Sequence, residues 1–481
     1  MKPGKTITLI LLLFVPVLAS SCGGEQERDN TDSSTSSGGS VDIGLQKFAV
    51  SIMGDDVGYM ELSVQELGTD SLLITQSISW NMILMGNPRD IEMSMTAVTD
   101  RTFNLGHMEM LMSDGSAEIS INAVRRDSLL ITEIGTAGRT IENSTVVPDD
   151  YLPILADLAC ASMEWEVGQE RTFQSFDPAS GMILSASALC IGFEDVSLLG
   201  DTVNATKLEI SQMGTRNSVW VYRGQIIREY EAGLGMDMTR VPPDQSGDVV
   251  ATTDLYEVFA VSSSHISNPR NTGTRLFLLE GDIDWTNFQL DIPSVQAASG
   301  CTVTVSTGLP DIRLPYPPSI PEDLVEYALP ETMIQSDDSV IVERALSLTA
   351  GSEDSWEAAR RISSFVDGAV ENSPTISLPS AVDVMENLRG DCNEHTILTV
   401  ALARAAGLPA RICAGIVYLD GSFGYHAWPI IWVGEWVEMD PTFGQYAADA
   451  THIILAIGDL ESQYVVNSAI GRLSVRELET P

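Results

Sequence analysis

An alternation of apolar and polar residues runs through the N-terminal half of the chain and constrains its fold more than any other feature. Met60, Leu62 and Val64, for example, alternate with polar neighbours. Because successive side chains of a β-strand point to opposite faces, this period of two predicts strands with one buried face. Short turns rich in Gly, Asn and Asp separate these runs. Residues 41–260 are therefore predicted to form an antiparallel all-β domain, either a curved sheet or an incomplete barrel.

One helical segment is predicted inside this domain, between Pro148 and Ala161. The pattern of the domain identifies no catalytic constellation. A ligand-docking surface and a spacer that supports the next domain are two open functions for such a sheet, because a fold does not specify a function by itself.

After a connecting region, the spacing of apolar residues changes from the period of two typical of strands to the period typical of helices. Residues 261–328 are mixed in character and contain a Pro-rich stretch, residues 310–321, which predicts a semi-rigid linker. Beyond it, residues 337–350 and 354–370 carry apolar side chains at helical spacing. A second domain is therefore predicted at residues 329–470.

The first residues have the pattern of an export signal. Lys2 and Lys5 precede an apolar stretch from Ile7 to Leu18. The stretch is too short to span a bilayer comfortably, since spanning takes about 20 apolar residues. Residues 1–21 are therefore predicted to be a signal peptide that the mature protein lacks.

The small residues Ala19, Ser20 and Ser21 resemble the end of a bacterial lipobox, which implies that Cys22 becomes a lipidated N-terminus. An ordinary cleaved signal with an incidental cysteine is the alternative. Residues 22–40 are polar and charged, which predicts a flexible tether. We expect an exported, lipid-anchored protein of the bacterial cell envelope, on its periplasmic or extracellular face, with no other attachment to the membrane.

The charge of the chain excludes two classes of partner. There are 26 Lys and Arg against 67 Asp and Glu, a formal net charge of −41. Nucleic-acid binding and electrostatic adhesion to anionic lipid both need clustered cations, so neither is expected.

Six cysteines occur, and no C-x-x-C pair or zinc-ribbon spacing is among them. An exported location permits disulfides. Cys160 with Cys190 is one candidate pair, and two buried thiols are the alternative.

The block around Cys392 carries the chemistry. Asp391 and Glu394 have the spacing of a capping box, which predicts a helix that begins at Cys392 and stops before Gly407 and Pro409. The helix is apolar almost all round and is therefore expected to be buried, although its N-terminus need not be. The positive end of the helix dipole is expected to lower the pKa of the thiol.

His426 opens one predicted strand and Asp440 closes the next. A turn over residues 433–435 would pair Trp432 with Trp436 and place the histidine and the aspartate on one face as diagonal neighbours. A register shifted by one residue would place them on opposite faces. A triad therefore requires the first of these registers.

Four linked motifs resemble the core of the bacterial transglutaminase-like superfamily: Gly390 to His395, Leu402 to Arg411, Tyr425 to Trp428 and Trp436 to Gly444. The resemblance covers roughly residues 336–459. It implies an α+β domain of papain-like fold, so that the chain as a whole is multidomain. It also implies a Cys-His-Asp triad formed by Cys392, His426 and Asp440. It does not imply cross-linking activity, because the superfamily also resembles peptidases, amidases and inactive proteins.

These residues predict thiol-dependent acyl transfer or hydrolysis on peptide or side-chain amides. Cys392 attacks the carbonyl carbon, His426 pairs with the thiolate and protonates the leaving amine, and Asp440 orients the imidazole. No cofactor and no metal are expected. A catalytically silent binding or scaffold protein is the alternative, and a zinc site made of Cys392, His395 and His426 is a more remote one.

Other residues near the triad have two interpretations each. Trp428 is predicted to line the substrate groove, with plain packing as the alternative. His395 is expected to be a structural histidine of the helix. Asp449 and His452 are expected to brace the site.

Overall fold

The computed structural model describes residues 44–479 except 85–86, 116–117, 137–138, 148–150, 179–180, 213–214, 248, 251, 253, 255–257, 374–379 and 459–464. The predicted signal peptide, Cys22 and the tether therefore lie outside the described residues. The described chain divides into two compact units, one up to Val258 and the other from Phe259 onward. Within the described residues, no helix combines the length and apolar character that membrane spanning requires.

Among its described residues, the first unit contains one antiparallel sheet of 14 strands. In chain order the strands are β1 Gly44–Ile52, β2 Asp55–Leu67, β3 Ser71–Leu84, β4 Asn87–Asp100, β5 Leu105–Ser113, β6 Glu118–Arg126, β7 Leu129–Thr136, β8 Arg139–Val146, β9 Glu170–Asp177, β10 Met182–Leu198, β11 Asp201–Gln212, β12 Thr215–Tyr222, β13 Gln225–Glu231 and β14 Met236–Val241. Their order across the sheet is β8-β7-β6-β5-β4-β3-β2-β1-β14-β13-β12-β11-β10-β9. Strand β14, the last of these in the chain, therefore pairs with β1, the first.

Period-two burial in these strands confirms the predicted antiparallel β domain. In β4, for example, Ile91, Met93 and Met95 are buried while the residues between them are exposed. The helix α1 Ala156–Ala161 lies within the predicted helical segment and is buried along its whole length. Cys160 and Cys190 are both buried thiols rather than a disulfide.

The second unit combines helices with two larger sheets and a short strand pair. Its helices are α2 Ser339–Thr349, α3 Ser355–Ala369, α4 Ala381–Asn387 and α5 Cys392–Ala405. Its strands are β15 Ser262–Ser263, β16 Gly273–Glu280, β17 Gln296–Ser299, β18 Thr302–Thr307, β19 Glu371–Asn372, β20 Arg389–Gly390, β21 Ala410–Leu419, β22 Ser422–Trp432, β23 Trp436–Glu438, β24 Ile453–Gly458 and β25 Ser474–Leu478. Four strands form a sheet in the order β23-β22-β21-β24, and five form another in the order β15-β25-β16-β18-β17.

The predicted connector at residues 261–328 is part of the second unit rather than a separate segment. Its strands β16 and β18 pair with each other, and β16 also pairs with the C-terminal strand β25. The Pro-rich stretch is also fixed, because the Leu314 amide donates to the Val433 carbonyl at 3.1 Å. Pairing with residues far along the chain could not be predicted from local composition.

Helix α5 is the centre of this unit. Its residues from Cys392 to Arg404 are all buried. One cluster of apolar side chains surrounds it and includes Ile397, Leu398 and Leu402 together with residues of α2, α3 and α4. A second cluster, around Trp428 and Ile454, belongs to strands β21, β22 and β24 and to residues 292–295. The prediction of a buried α5 is confirmed, and the burial extends to its N-terminus.

Close packing of β21 between β22 and β24 predicts a large effect of Gly415→Ala. A Cβ at Gly415 would lie 2.0 Å from the Ile453 carbonyl oxygen and 2.9 Å from the Trp428 ring, so the strands must separate. We expect the free energy of unfolding to fall by about 3 kcal/mol. Urea unfolding measures this loss. The matched control is Gly368→Ala in α3, where no atom lies within 4 Å of the new Cβ, and it should gain up to about 1 kcal/mol. A Gly415→Ala protein as stable as wild type would contradict the packing.

Candidate active site

Cys392 is the first residue of α5, and the local sequence determines this position. The Asp391 side chain accepts a hydrogen bond from the Asn393 amide at 2.8 Å, while the Glu394 side chain accepts one from the Asp391 amide at 2.7 Å. These two bonds form the predicted capping box, which satisfies two of the unpaired amides of the first turn. A Cβ at Gly390 would lie 2.2 Å from the Cβ of Glu394, so the residue before the cap has to be glycine.

The thiol of Cys392 lies against β22, at the residue that follows His426. The backbone amide of Ala427 donates to its sulfur, and one turn further along α5 the Thr396 hydroxyl donates to the Ala427 carbonyl at 3.0 Å. Cys392 is fully buried. Burial first, and then the adjacent Asp391, raise the pKa of the thiol well above its usual range. The expected lowering of the thiol pKa by the helix dipole is therefore wrong, because desolvation of the buried thiolate outweighs the dipole.

The strand register is the one that a triad requires. Trp432 pairs with Trp436 across the β22–β23 turn. His426 Nε2 lies 3.0 Å from Asp440 Oδ2, and both side chains are fully buried. We assign the Nε2 proton to the bond with Asp440, since a carboxylate only accepts. His426 Nδ1 has no hydrogen-bond partner among the described residues and is left with a lone pair.

Both carboxylate oxygens of Asp440 accept hydrogen bonds. Its Oδ1 accepts from the Phe443 amide at 3.0 Å. Its Oδ2 lies 3.0 Å from His426 Nε2 and 3.1 Å from His452 Nε2. Burial would raise the pKa of this carboxyl, but the two imidazoles outweigh burial and hold the pKa well below its usual range. For His426, burial lowers the pKa below its ordinary value despite the contact with Asp440.

His452 lies between two acids. Its Nδ1 lies 3.1 Å from the Asp449 carbonyl oxygen and 3.4 Å from the Asp449 Oδ1, and its Nε2 is bonded to Asp440. Burial alone would lower the pKa of His452, but Asp449 and then Asp440 raise it to about 10. The expectation that Asp449 and His452 brace the site agrees with these contacts.

Two further residues of the site were not predicted from the sequence. Arg270 Nη1 donates to Asp449 Oδ2 at 2.8 Å, and its guanidinium lies 4.8 Å from the centre of the Phe443 ring. Phe443 in turn stacks on His426 with ring centres 5.2 Å apart. Phe443 stood within a recognised motif, but Arg270 lies in the connecting region without any local signal.

The structure favours packing over substrate contact for Trp428. Its ring is fully buried, 5.7 Å from the His426 ring and 4.9 Å from the His452 ring. Its Nε1 donates to Glu438 Oε1 at 2.9 Å. Burial raises the pKa of Glu438 to about 7. Because the indole is fully buried, neither of its faces is available to a substrate, and the predicted groove wall is not formed.

The second unit contains a region that is similar to a known protein family. The family model described as the transglutaminase-like superfamily matches residues 342–441. Residues 342–441 are a transglutaminase-like domain. No curated protein is significantly similar to this chain. A solved structure of a candidate cysteine protease from Cytophaga hutchinsonii is 16% identical to it, with a TM-score of 0.31, and the match covers 44% of this chain and 88% of that one.

Cys392, His426 and Asp440 all lie inside the range that matches the transglutaminase-like superfamily, whereas Asp449 and His452 follow it and Arg270 precedes it. The three residues that brace the site, Asp449, His452 and Arg270, therefore come from parts of this chain outside the matched region.

Metal binding at the transglutaminase-like site has two candidate donor sets. For the predicted alternative, Cys392 with His395 and His426, no such cluster exists among the described residues; His395 Nδ1 instead lies 2.6 Å from the Asp391 carbonyl oxygen. His426, Asp440 and His452 do offer three atoms within 4.8 Å of one another. Hydrogen bonds account for this trio without an ion, because both imidazoles donate N–H to one carboxylate oxygen.

The charge on His452 predicts a loss of stability of the transglutaminase-like domain in alkali. Its folded pKa of about 10 exceeds that of an unfolded histidine, about 6.5. The stabilisation of the folded domain by this charge is complete below about pH 6.5 and is lost as the pH rises through about 10. We expect the free energy of unfolding to fall less over this window in His452→Gln than in wild type. Urea titrations at several pH values measure the two slopes, and equal slopes would contradict the assignment.

Proposed function

We propose that this protein is a papain-like cysteine enzyme that transfers or hydrolyses acyl groups of peptide or side-chain amides. The observation that carries the proposal is the state of His426. One ring nitrogen is held by Asp440 at 3.0 Å, and the other has no hydrogen-bond partner among the described residues. The thiol of Cys392 lies beside the same strand, at the start of a buried helix.

The proposed reaction has two halves. His426 Nδ1 removes the thiol proton while the sulfur attacks the amide carbon, and the positive end of α5 favours the negative charge on the substrate oxygen. The imidazolium then gives its proton to the departing amine, which leaves a thioester on Cys392. Water or a second amine attacks that thioester with His426 again as base, and the proton returns to the sulfur. Asp440 holds the ring and stabilises its charged form.

A silent binding or scaffold protein is a second candidate, and one observation favours it. Cys392, His426 and Asp440 have no exposed surface. A substrate can reach the sulfur only if the covering residues move, and a site that never opened would be inert.

Casein with hydroxylamine distinguishes these candidates. An active transferase forms protein hydroxamate from casein, an active hydrolase releases ammonia or new amino termini, and either activity disappears after iodoacetamide treatment. The control is Cys413→Ala, which removes another fully buried thiol of the same domain. Absence of all products, with Cys392 unmodified by iodoacetamide, would favour the silent protein.

The cellular location is also a proposal. We propose that lipid on Cys22 anchors the protein in the bacterial envelope, in keeping with the export-signal pattern of residues 1–21. Expression of the full chain and of Cys22→Ala, followed by fractionation, tests this. The variant should leave the membrane fraction, and equal membrane association of the two proteins would contradict the anchor.

A further inference from the structure

His452 is a second buried imidazole at the site, and the acid-base roles of the proposed reaction leave it without a function. It contacts the same oxygen of Asp440 as His426 does. Its hydrogen bonds therefore indicate what it contributes.

Both nitrogens of His452 face oxygen atoms that only accept. Nε2 faces Asp440 Oδ2 at 3.1 Å, and Nδ1 faces the Asp449 carbonyl at 3.1 Å and its Oδ1 at 3.4 Å. A neutral imidazole has a single N–H, so one of these contacts would then join a lone pair to an oxygen lone pair. The geometry therefore requires a proton on each nitrogen, and His452 carries a positive charge.

The charges around Asp440 then balance. The two carboxylates in contact with His452 are Asp440 and Asp449, and they are matched by His452 and by Arg270, which lies 2.8 Å from Asp449. Asp449 accepts further bonds from Gln445 Nε2 at 2.9 Å and from the Thr451 amide at 2.9 Å. A charge on His426 as well would leave the buried cluster with an excess of one positive charge, which burial disfavours.

Glu438 is another buried acid near this cluster, and at pH 6 it leaves the balance unchanged. Glu438, beside Trp428, has a pKa raised to about 7 by burial and is largely protonated there. On the thiol side, burial and then Glu394 raise the pKa of Asp391 well above its usual range.

We propose that His452 is a positioning residue whose fixed charge, with that of Arg270, neutralises Asp440 and Asp449 and so keeps His426 uncharged at rest. This inference rests on the proposed function. In consequence Cys392 and His426 rest as a neutral thiol and imidazole, and not as the ion pair expected from the sequence. The sulfur becomes nucleophilic only while His426 removes its proton, which suits a thiol that is protected from adventitious electrophiles until the site opens.

His452→Gln tests the proposal, because glutamine keeps an N–H for Asp440 and loses the charge. The probe is iodoacetamide at pH 6, with the rate of carbamidomethylation followed separately at Cys392 and Cys413 by peptide mass. Without the cation, His426 should take the thiol proton more readily, and Cys392 should react about 10-fold faster than in wild type. Cys413, which is equally buried but lies in strand β21, should keep its rate.

The double variant His426→Gln/His452→Gln shows whether the effect passes through His426. The acceleration should disappear in it. An unchanged or slower Cys392 in His452→Gln would overturn the inference, as would an equal acceleration at Cys413, which would indicate opening of the fold. Stoichiometric zinc in the purified protein would also overturn it, because a ligating Nε2 carries no proton. If the proposed function itself is wrong, the result is different: iodoacetamide then modifies Cys392 in the single variant His426→Gln at the wild-type rate.

Discussion

Cys392→Ala is expected to abolish acyl turnover, with a loss of at least about 10³-fold, because alanine has no sulfur to form the thioester. The sulfur is fully buried at the start of α5, so a small cavity replaces it and the free energy of unfolding should fall by about 1 kcal/mol. Hydroxamate formation from casein measures turnover, and urea unfolding measures stability.

Cys413→Ala is the matched control for this prediction. It also removes a fully buried thiol from the transglutaminase-like domain, on the strand paired with Trp428. We expect it to keep activity within about threefold of wild type while losing a similar small stability. Equal loss of activity in the two variants would show that the assay reports folding, and retained activity in Cys392→Ala would exclude it as the nucleophile.

Asp440→Asn is expected to damage catalysis and stability together. Asparagine has a single side-chain oxygen, whereas both oxygens of Asp440 accept, one from Phe443 and the other from His426 and His452. In either orientation an amide N–H therefore faces another donor. The positively charged His452 also loses one of the two carboxylates that stabilise it. We expect kcat to fall on the order of 10³-fold to 10⁴-fold and the free energy of unfolding to fall by about 3 kcal/mol.

Asp420→Asn provides the control for this substitution. Asp420 is exposed in the turn between β21 and β22, at a backbone φ of 50° that asparagine tolerates well. It should match wild type in both measurements. A kcat for Asp440→Asn within about 10-fold of wild type would contradict the role given to the carboxylate.

The parts of the site that depend on nearby residues in the chain could be predicted from the sequence. The capping box fixed the start of α5 at Cys392, and the length of the turn after Trp432 fixed the register that brings His426 to Asp440. Capping and strand register depend on residues a few positions apart, and such signals survive in a single sequence.

The sequence did not predict features that depend on distant contacts. The pairing of β16 with β25 and the contact of Arg270 with Asp449 join residues far apart in the chain. The predicted lowering of the Cys392 pKa is wrong for the same reason: the helix dipole is local, whereas burial is a property of the whole domain. Similarly, the burial of Trp428 followed from packing against His452 and Glu438, which no strand pattern contains.

The most direct test of the account is to trap the covalent intermediate. The protein is mixed with p-nitrophenyl acetate, quenched in acid within seconds and digested, and the acetyl group is located by peptide mass. We predict acetylation at Cys392 in wild type, a burst of p-nitrophenol close to one equivalent, and neither result in His426→Gln. An unacetylated Cys392, or one acetylated to the same extent with and without His426, would contradict the assignment of these residues as nucleophile and base.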